Sequence, residues 1–284
     1  MHKQQLRTTY RVAAVVVNWR AAEETIAAVR RLQDQSSSLD QVYVVDNGSG
    51  DGSAEILQRA FSQTKNVNIL SNKVNLGFGG GCNHALRQIL KEGFDYVWLL
   101  NNDARPDTDC LQSLLTEISR DSRIGMVGSM LSDPADSGHD HSGNWLHPWL
   151  MNCGAVRSVE DLKKHQYSWV TAASVLIRAS ALHTAGIFDE NFFMYWEDAD
   201  LAMRIRKSGY RLSIAHGARV THRAGTSSHD IPIQRYLWHY RSQHLWLQKH
   251  HRYPQLALLL LRLKFLAKAV WDLDLKRTKA LLRL

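Results

Sequence analysis

The chain has 284 residues, 44% hydrophobic, 22% charged and 9% aromatic, enough to bury the core of one large or two small domains. With 17 glycines and 5 prolines, collagen-like and low-complexity classes are excluded, and no fixed-period repeat points to a solenoid. The formal net charge of +8 is local: residues 235–284 hold eleven Lys/Arg against Asp272 and Asp274, a net +9 that leaves residues 1–234 at −1.

A basic segment mixed with leucine and tryptophan points at least as much to an anionic membrane surface as to nucleic acid. Cys82, Cys110 and Cys153 are far apart, odd in number and form no C-x-x-C pair. This argues against a disulfide framework or a structural zinc site and fits a reducing compartment. The apolar run from Val12 to Val17 is too short for a signal sequence and reads as a first strand.

In chain order, Val12–Asn18, Gln41–Asp46, Val67–Ser71, Tyr96–Leu100 and 124–130 read as short buried strands. Amphipathic stretches at 22–35, 53–62, 80–91 and 108–120 alternate with them. Repeated β-α-β connections predict an α/β fold with a mostly parallel sheet, whose ligands sit beyond the carboxyl ends of the strands.

Those ends carry the polar residues. The second strand runs into Asp46-Asn47-Gly48-Ser49-Gly50-Asp51-Gly52-Ser53, a capped turn or a binding loop. A calcium loop counted from Asn47 puts Gln58 where a bidentate glutamate belongs, and is rejected. After the third strand, Asn75-Leu76-Gly77-Phe78-Gly79-Gly80-Gly81-Cys82-Asn83 reads as a glycine-dense turn. A dinucleotide fingerprint starting at Gly77 would need glycine at Cys82 and would follow the first strand, so the glycines are read instead as a close approach of backbone to a ligand or a neighbouring element.

The fourth strand ends in Asn101-Asn102-Asp103, where Asp103 is either a turn or cap residue or a ligand for a hard divalent cation such as magnesium or manganese. Farther on, Phe188, Phe192, Phe193, Tyr195 and Trp196 crowd Glu197 and Asp198. Such low-dielectric surroundings raise carboxylate pKa values and suit a general base. Asp200 and Arg204 are spaced to pair along a helix. His222, at the end of a later strand, is either structural or a ligand.

Together these segments resemble the family 2 glycosyltransferases of the GT-A fold, especially their bacterial rhamnosyltransferase branch. The resemblance covers roughly residues 10–230. It rests on Val44-Val45-Asp46-Asn47-Gly48-Ser49 with Asp51-Gly52-Ser53, Asn75-x-Gly77-Phe78-Gly79-Gly80-Gly81-x-Asn83 and Leu99-Leu100-Asn101-Asn102-Asp103. Its later pieces are Gly186-x-Phe188-Asp189-Glu190-x-Phe192-Phe193, Glu197-Asp198-x-Asp200-Leu201-x-x-Arg204 and His222-x-x-Gly225.

The resemblance implies a Rossmann-like catalytic domain over 1–230, with a nucleotide-sugar half at about 1–130 and an acceptor half at about 131–230. It also implies an inverting transfer with Asp198 as general base. Asp46 would contact the base of a dTDP- or UDP-sugar, with Asn18 and Trp19 beside it, while Asn75, Gly77, Asn101, Asn102 and Asp103 would line the ribose and diphosphate. Asp103 and His222 would hold Mg2+ or Mn2+, and Trp169, Trp196 and Glu197 would face the acceptor. Asn101 departs from the pattern: many relatives carry an aspartate there, so the site has one carboxylate fewer.

By resemblance the donor is dTDP-rhamnose and the acceptor a glycan or lipid-linked saccharide of cell-surface polysaccharide synthesis. UDP-galactofuranose, a UDP-hexose and a non-catalytic nucleotide-binding scaffold are the alternatives. Nucleic acid is not an expected partner, and an oligomer stays open. Segment 132–164, with Asp133, Asp136, His139, Asp140, His141 and His147, reads as a polar loop on the acceptor side, with Trp145 and Trp149 placed to stack on sugar or simply to pack. Residues 231–284 read as a basic helical extension. In it, Lys264, Lys268, Asp272 and Lys276 recur every four residues opposite Leu263, Leu266, Val270, Trp271 and Leu273. That pattern fits a helix on an anionic membrane or one packed on protein, hence a cytoplasmic protein peripheral to the inner face of the bacterial plasma membrane.

Overall fold

The computed structural model describes residues 10–133, 140–222 and 232–271. Its first half alternates β1 (Val12–Asn18), α1 (Ala22–Gln33), β2 (Gln41–Asp46), α2 (Ser53–Ala60), β3 (Val67–Ser71), α3 (Gly77–Glu92) and β4 (Tyr96–Leu100). The strands pair in parallel in the order β3-β2-β1-β4. Nearly every residue of β1, β2 and β4 is buried, because helices cover both faces of the sheet. Ala13, Val15, Val97 and Leu99 face the core that includes Ala85, Leu86 and Ile89 of α3, whereas Val12, Ala14, Val16 and Trp98 face the core that includes Ala28, Val29 and Leu32 of α1.

The chain continues through β5 (Ala104–Pro106), α4 (Cys110–Ser119), β6 (Ile124–Ser132), β7 (Gly143–Leu146), β8 (Cys153–Val156), α5 (Val159–Lys164), β9 (Ser168–Val170), β10 (Ser174–Arg178), α6 (Ala179–Ala185), α7 (Glu197–Lys207) and β11 (Arg211–His222). Among the described residues the main sheet has the order β3-β2-β1-β4-β10-β6-β11-β5. In it β10 runs antiparallel to both β4 and β6. The antiparallel insertion ends the Rossmann-like half and turns the chain toward the second half of the site.

Two expectations are corrected. Segment 132–164 is not simply a loop, since β7, β8 and β9 form a small antiparallel sheet in the order β8-β7-β9. Its strands are short and show no apolar alternation, and glycines in β7 and β8 let neighbouring groups come close. A Cβ at Gly143 would lie 2.0 Å from the Trp169 carbonyl oxygen, and one at Gly154 would meet the Trp145 ring at 2.3 Å. Asp136 and His139 lie outside the described residues.

The helix expected over 80–91 likewise begins earlier, since α3 starts at Gly77 and takes in Gly77, Phe78 and Gly79 of the stretch read as a turn, with Gly80 and Gly81 behind them. Each interior glycine costs a helix about 1 kcal/mol relative to alanine. Here close approach offsets that cost. A Cβ on Gly79 would touch Phe188 at 3.0 Å, and one on Gly81 would touch Val17 at 2.9 Å and Asn47 at 3.2 Å.

Two C-terminal helices, α8 (Pro232–His250) and α9 (Pro254–Trp271), complete the fold. Helix α8 buries Tyr240, Trp246 and Leu247 in the core shared with α7. Helix α9 packs through Ala257, Leu261, Phe265 and Ala269, a stripe repeating every four residues. This orientation differs from the expected one. Lys264 turns to the protein, donating to Asn152 Oδ1 at 2.8 Å and to the Met151 carbonyl, and Leu263 is exposed together with Leu256, Leu259 and Trp271. The expected pattern over 272–284, including Asp272, Leu273 and Lys276, lies outside the described residues. Among the described residues no helix is long and apolar enough to cross a membrane.

At the start of α3, Gly77 has φ +76° and its missing Cβ would fall 1.9 Å from the Phe193 carbonyl oxygen. Gly77→Ala should therefore lower the free energy of unfolding by about 2 kcal/mol or more. Urea denaturation checks this, and an unchanged midpoint contradicts the contact.

Candidate active site

Turns at the carboxyl ends of β1 and β2 are built by reciprocal side-chain bonds. Asn18 Nδ2 donates to Asp46 Oδ1 at 2.7 Å, and the Ser49 hydroxyl donates to the same oxygen at 2.5 Å. Asn18 Oδ1 accepts from the Thr25 hydroxyl at 2.8 Å. Asn18 and Asp46 are buried and hold this turn together; neither lines the two cavities described below. The neighbouring Asn47 does line one. Its Oδ1 accepts from the Leu76 N–H at 3.2 Å, and its Nδ2 donates to Asn75 Oδ1 at 3.1 Å and to the Gly77 carbonyl at 2.9 Å. Asn47 stands inside the Asp46–Ser49 motif but was given no role from sequence.

The larger cavity, about 640 Å³, opens beyond β1 and β4 and is walled by Trp19, Asn75, Gly77, Asn102, Asp103 and His222 among others. Asp103 leaves the end of β4 and His222 ends β11, so the pairing of β11 with β5 brings the two together. His222 Nε2 lies 3.1 Å from Asp103 Oδ1 and 3.2 Å from Asn101 Nδ2. One carboxylate oxygen and one imidazole nitrogen thus converge at a cavity wall. Among the described residues no group of three or more His, Cys, Asp or Glu gathers around a common point. The Asp103 carboxylate suits Mg2+ or Mn2+, hard cations that take few protein ligands, keep waters and share substrate phosphates, and a neutral His222 would add a nitrogen donor that Mn2+ accepts more readily than Mg2+.

A second cavity of about 380 Å³ adjoins it, lined by Trp169, Thr171, Trp196, Glu197, Asp198 and His239 among others. The two cavities share Phe78, Asn101, Met194, Tyr195 and His222, so Asp103 and Asp198 open onto adjoining parts of one cleft. Trp169 and Trp196, both nearly buried, stand with ring centroids 5.1 Å apart in the wall. Tyr195 and Trp196 both have φ +67°, a costly conformation for aromatic residues that the surrounding packing must impose.

Glu197 and Asp198 open α7 but sit in different surroundings. Asp198 accepts from the Ala199 N–H at 2.7 Å and from the Ala172 N–H at 3.3 Å. Burial raises its pKa, and these N–H donors oppose the rise. Glu197 is 7% exposed, and its Oε2 has no hydrogen-bond partner. Burial, then the charge of Asp198, push its pKa up to about 8. Burial and the neighbouring Asp198 thus favour the protonated form of Glu197 at neutral pH, whereas Asp198 has backbone N–H donors that favour its carboxylate.

One turn farther along, fully buried Asp200 meets Arg204 Nε at 2.7 Å, His250 Nε2 at 2.8 Å and Lys249 Nζ at 2.6 Å. Burial works to raise its pKa, but His250, Arg204 and Lys249 overcome it and hold the carboxyl below the ordinary range. The predicted pairing with Arg204 is present. The two partners from α8 were not foreseen, nor were Gln234, Arg235 and Trp238 of α8 in the wall of the larger cavity.

The family model described as Glycosyl transferase family 2 matches residues 13–180. The chain belongs to glycosyl transferase family 2. This glycosyltransferase is 27% identical over 235 residues to the N-acetylglucosaminyl-diphospho-decaprenol L-rhamnosyltransferase of Mycobacterium tuberculosis, covering 74% of this chain and 75% of the relative. It is 25% identical over 221 residues to the galactofuranosyltransferase GlfT1 of Mycolicibacterium smegmatis, covering 76% and 72% of the two chains. Among solved structures, the mannosyltransferase PcManGT of Pyrobaculum calidifontis in complex with GDP-Man and Mn2+ superposes with a TM-score of 0.63. That match has 17% identity and covers 97% of this chain and 80% of that one. The fold of the family 2 enzyme is thus the GT-A fold.

An acid with a raised folded pKa stabilises the fold at low pH, and its contribution is lost as pH climbs from the unfolded to the folded value. For Glu197 that window runs from 4.5 to about 8. Glu197→Gln should therefore lose less thermal stability than the wild type between about pH 5 and pH 9. Parallel Tm profiles for the two proteins would contradict the buried-acid assignment.

Proposed function

We propose that this glycosyltransferase is a metal-dependent inverting enzyme that moves L-rhamnose from dTDP-rhamnose to a lipid-linked saccharide in cell-surface polysaccharide synthesis. One observation carries the proposal: the Asp103–His222 pair and Asp198 line adjoining cavities with a common wall of Phe78, Asn101, Met194, Tyr195 and His222. A donor diphosphate held in the larger cavity puts its anomeric carbon toward the smaller one. An acceptor hydroxyl in the smaller cavity, beside Asp198 and the Trp169–Trp196 wall, then approaches from the opposite side.

Asp198 takes the hydroxyl proton as the new bond forms between that oxygen and the anomeric carbon. The bond from this carbon to the diphosphate breaks, and its electron pair leaves with the phosphate oxygen. The Ala172 and Ala199 N–H groups favour the carboxylate form of Asp198 and fix its orientation. Asp103 and His222 would hold Mg2+ or Mn2+, which supplies positive charge to the departing diphosphate when bound. Asn47, Asn75, Gly77, Asn101 and Asn102 would contact the nucleoside diphosphate. Asp46 and Asn18 would act on the base through the turn they hold.

The choice of rhamnose and of a lipid-linked acceptor rests on the named activity of the mycobacterial rhamnosyltransferase. Galactofuranose is the second reading, favoured by the likeness to GlfT1. We assign catalysis to residues 1–230, with α8 closing the cleft. The exposed Leu256, Leu259, Leu263 and Trp271, beside the basic C-terminal segment, would rest on the anionic inner face of the bacterial membrane.

Asp198→Asn should lower kcat by about a hundred- to ten-thousandfold with nucleoside diphosphate affinity retained. Sugar-transfer kinetics with calorimetric binding of dTDP checks this; equal loss of dTDP affinity would remove Asp198 from the role of base. Asp103→Ala should instead raise the Mn2+ concentration needed for half-maximal activity by about tenfold or more. An unaltered metal titration would take Asp103 out of the site.

A further inference from the structure

The larger cavity must accept a dianionic diphosphate and then hold still more negative charge as the sugar departs, yet its wall already contains the Asp103 carboxylate. With asparagine at position 101, the metal site that the family resemblance implies has one carboxylate fewer to hold a cation, so a cationic side chain at the diphosphate would add to the charge a metal supplies. Among the described residues, Arg235 is the one Lys or Arg that lines this cavity. It stands in the first turns of α8, on the wall that also holds Asp103 and His222.

Its orientation is built. Arg235 Nε donates to the Tyr195 hydroxyl at 3.2 Å. Tyr195 is itself held in its left-handed conformation by groups of α8: the Ser242 hydroxyl donates to the Met194 carbonyl at 2.8 Å, Trp238 packs on Phe193 at 4.8 Å and His239 on Tyr195 at 5.7 Å. Strain in two consecutive aromatic residues persists only where the surroundings over-determine it, and here the surroundings aim a phenol at a guanidinium. Tyr195 lines both cavities and lies three residues before Asp198.

We propose that Arg235, oriented by the Tyr195 hydroxyl, is a catalytic residue that binds the donor's diphosphate and takes up the charge developing on it as the glycosidic bond to the sugar breaks. This rests on the glycosyltransferase reading above. The electron pair of the breaking bond goes to the terminal phosphate oxygen, and the guanidinium donates hydrogen bonds to the phosphates without exchanging a proton. The planar fork of arginine suits this better than the point charge of lysine. Helix α8 is then part of the active site, and Tyr195 a positioning residue that joins the diphosphate to the segment leading into the base.

The test is calorimetric binding of dTDP and of UDP, with Mn2+ and with the metal removed by chelation, to the full-length wild type and to Arg235→Gln, Arg235→Lys and Tyr195→Phe. Charge-assisted hydrogen bonds of this kind are worth about a tenfold or greater change in affinity. Arg235→Gln should therefore weaken binding about tenfold or more in both conditions, and Arg235→Lys should recover only part of it. Tyr195→Phe, which keeps the ring and the guanidinium, should give a smaller loss. Thermal unfolding of each variant separates lost contacts from lost folding, and Tyr195→Phe keeps the test open if Arg235→Gln does not fold. Equal binding by wild type and Arg235→Gln overturns this inference and leaves the glycosyltransferase reading intact. A wild type that binds neither nucleotide in either condition overturns both.

Discussion

The active cleft depends on the contact between the first turn of α3 and the backbone at Phe193. The Phe78 N–H donates to the Phe193 carbonyl at 3.1 Å, and Gly77 leaves no room for a side chain between them. Five residues farther along α3, Asn83 accepts from the Phe188 N–H at 3.0 Å and donates to the Phe188 carbonyl at 3.0 Å. These bonds join the parallel half of the sheet to the segment that precedes α7. Move them apart, and Met194 and Tyr195 no longer form the wall between the two cavities. The helix-breaking run of glycines is tolerated because it allows this closeness, which a regular apolar helix start would prevent.

With the two halves joined, the electrostatics of the cleft follow from which carboxyl finds donors. Asp198, Glu197 and Asp200 lie within four residues on one helix, yet each has a different fate. Asp200 is fully buried but surrounded by Arg204, Lys249 and His250, so it stays charged and acts as a fastening between α7 and α8. Glu197 is buried against Cys82 and the aromatic wall without a donor for Oε2, so it stays neutral. Asp198 faces the cleft and has two backbone N–H donors. Helical periodicity sets these directions, since successive side chains rotate by about 100°. One short acidic run therefore yields a buried acid, a carboxyl facing the cleft with two N–H donors, and an anchor.

Much of this was legible in the sequence because strand ends in a parallel sheet are where polar residues interrupt apolar runs. All four strands of the first half are found where the apolar runs put them, and Asp103 and His222 meet although 119 positions separate them. Less legible were features set by tertiary contact. The start of α3 was hidden because glycine lowers helix propensity, and the steric partner that compensates, Phe193, is remote in sequence. The small sheet of β7, β8 and β9 was hidden because its strands are short and lack apolar alternation. Asn47 went without a role because an asparagine that bonds Leu76, Asn75 and Gly77 has the same local appearance as one that only shapes a turn.

The surroundings of the C-terminal helices were open in the sequence for a related reason. Charge counting treats residues 235–284 as one basic segment, but the two helices have different surroundings. The cations of α8 that matter face inward: Lys249 meets Asp189 and Asp200, and Arg235 reaches Tyr195. Helix α9 buries one stripe on the protein and leaves Leu256, Leu259 and Leu263 outside. Net charge describes the segment as a surface, whereas the inward cations make α8 structural to the cleft. Because α8 also carries Trp238, His239 and Ser242 against the strained segment from Phe193 to Trp196, the loss of α8 would release the backbone conformation that presents Asp198. A chain shortened before Pro232 would thus lose the part of the core built by Tyr240, Trp246 and Leu247, the wall of the larger cavity, the fastening of Asp200 and the geometry at the start of α7 together.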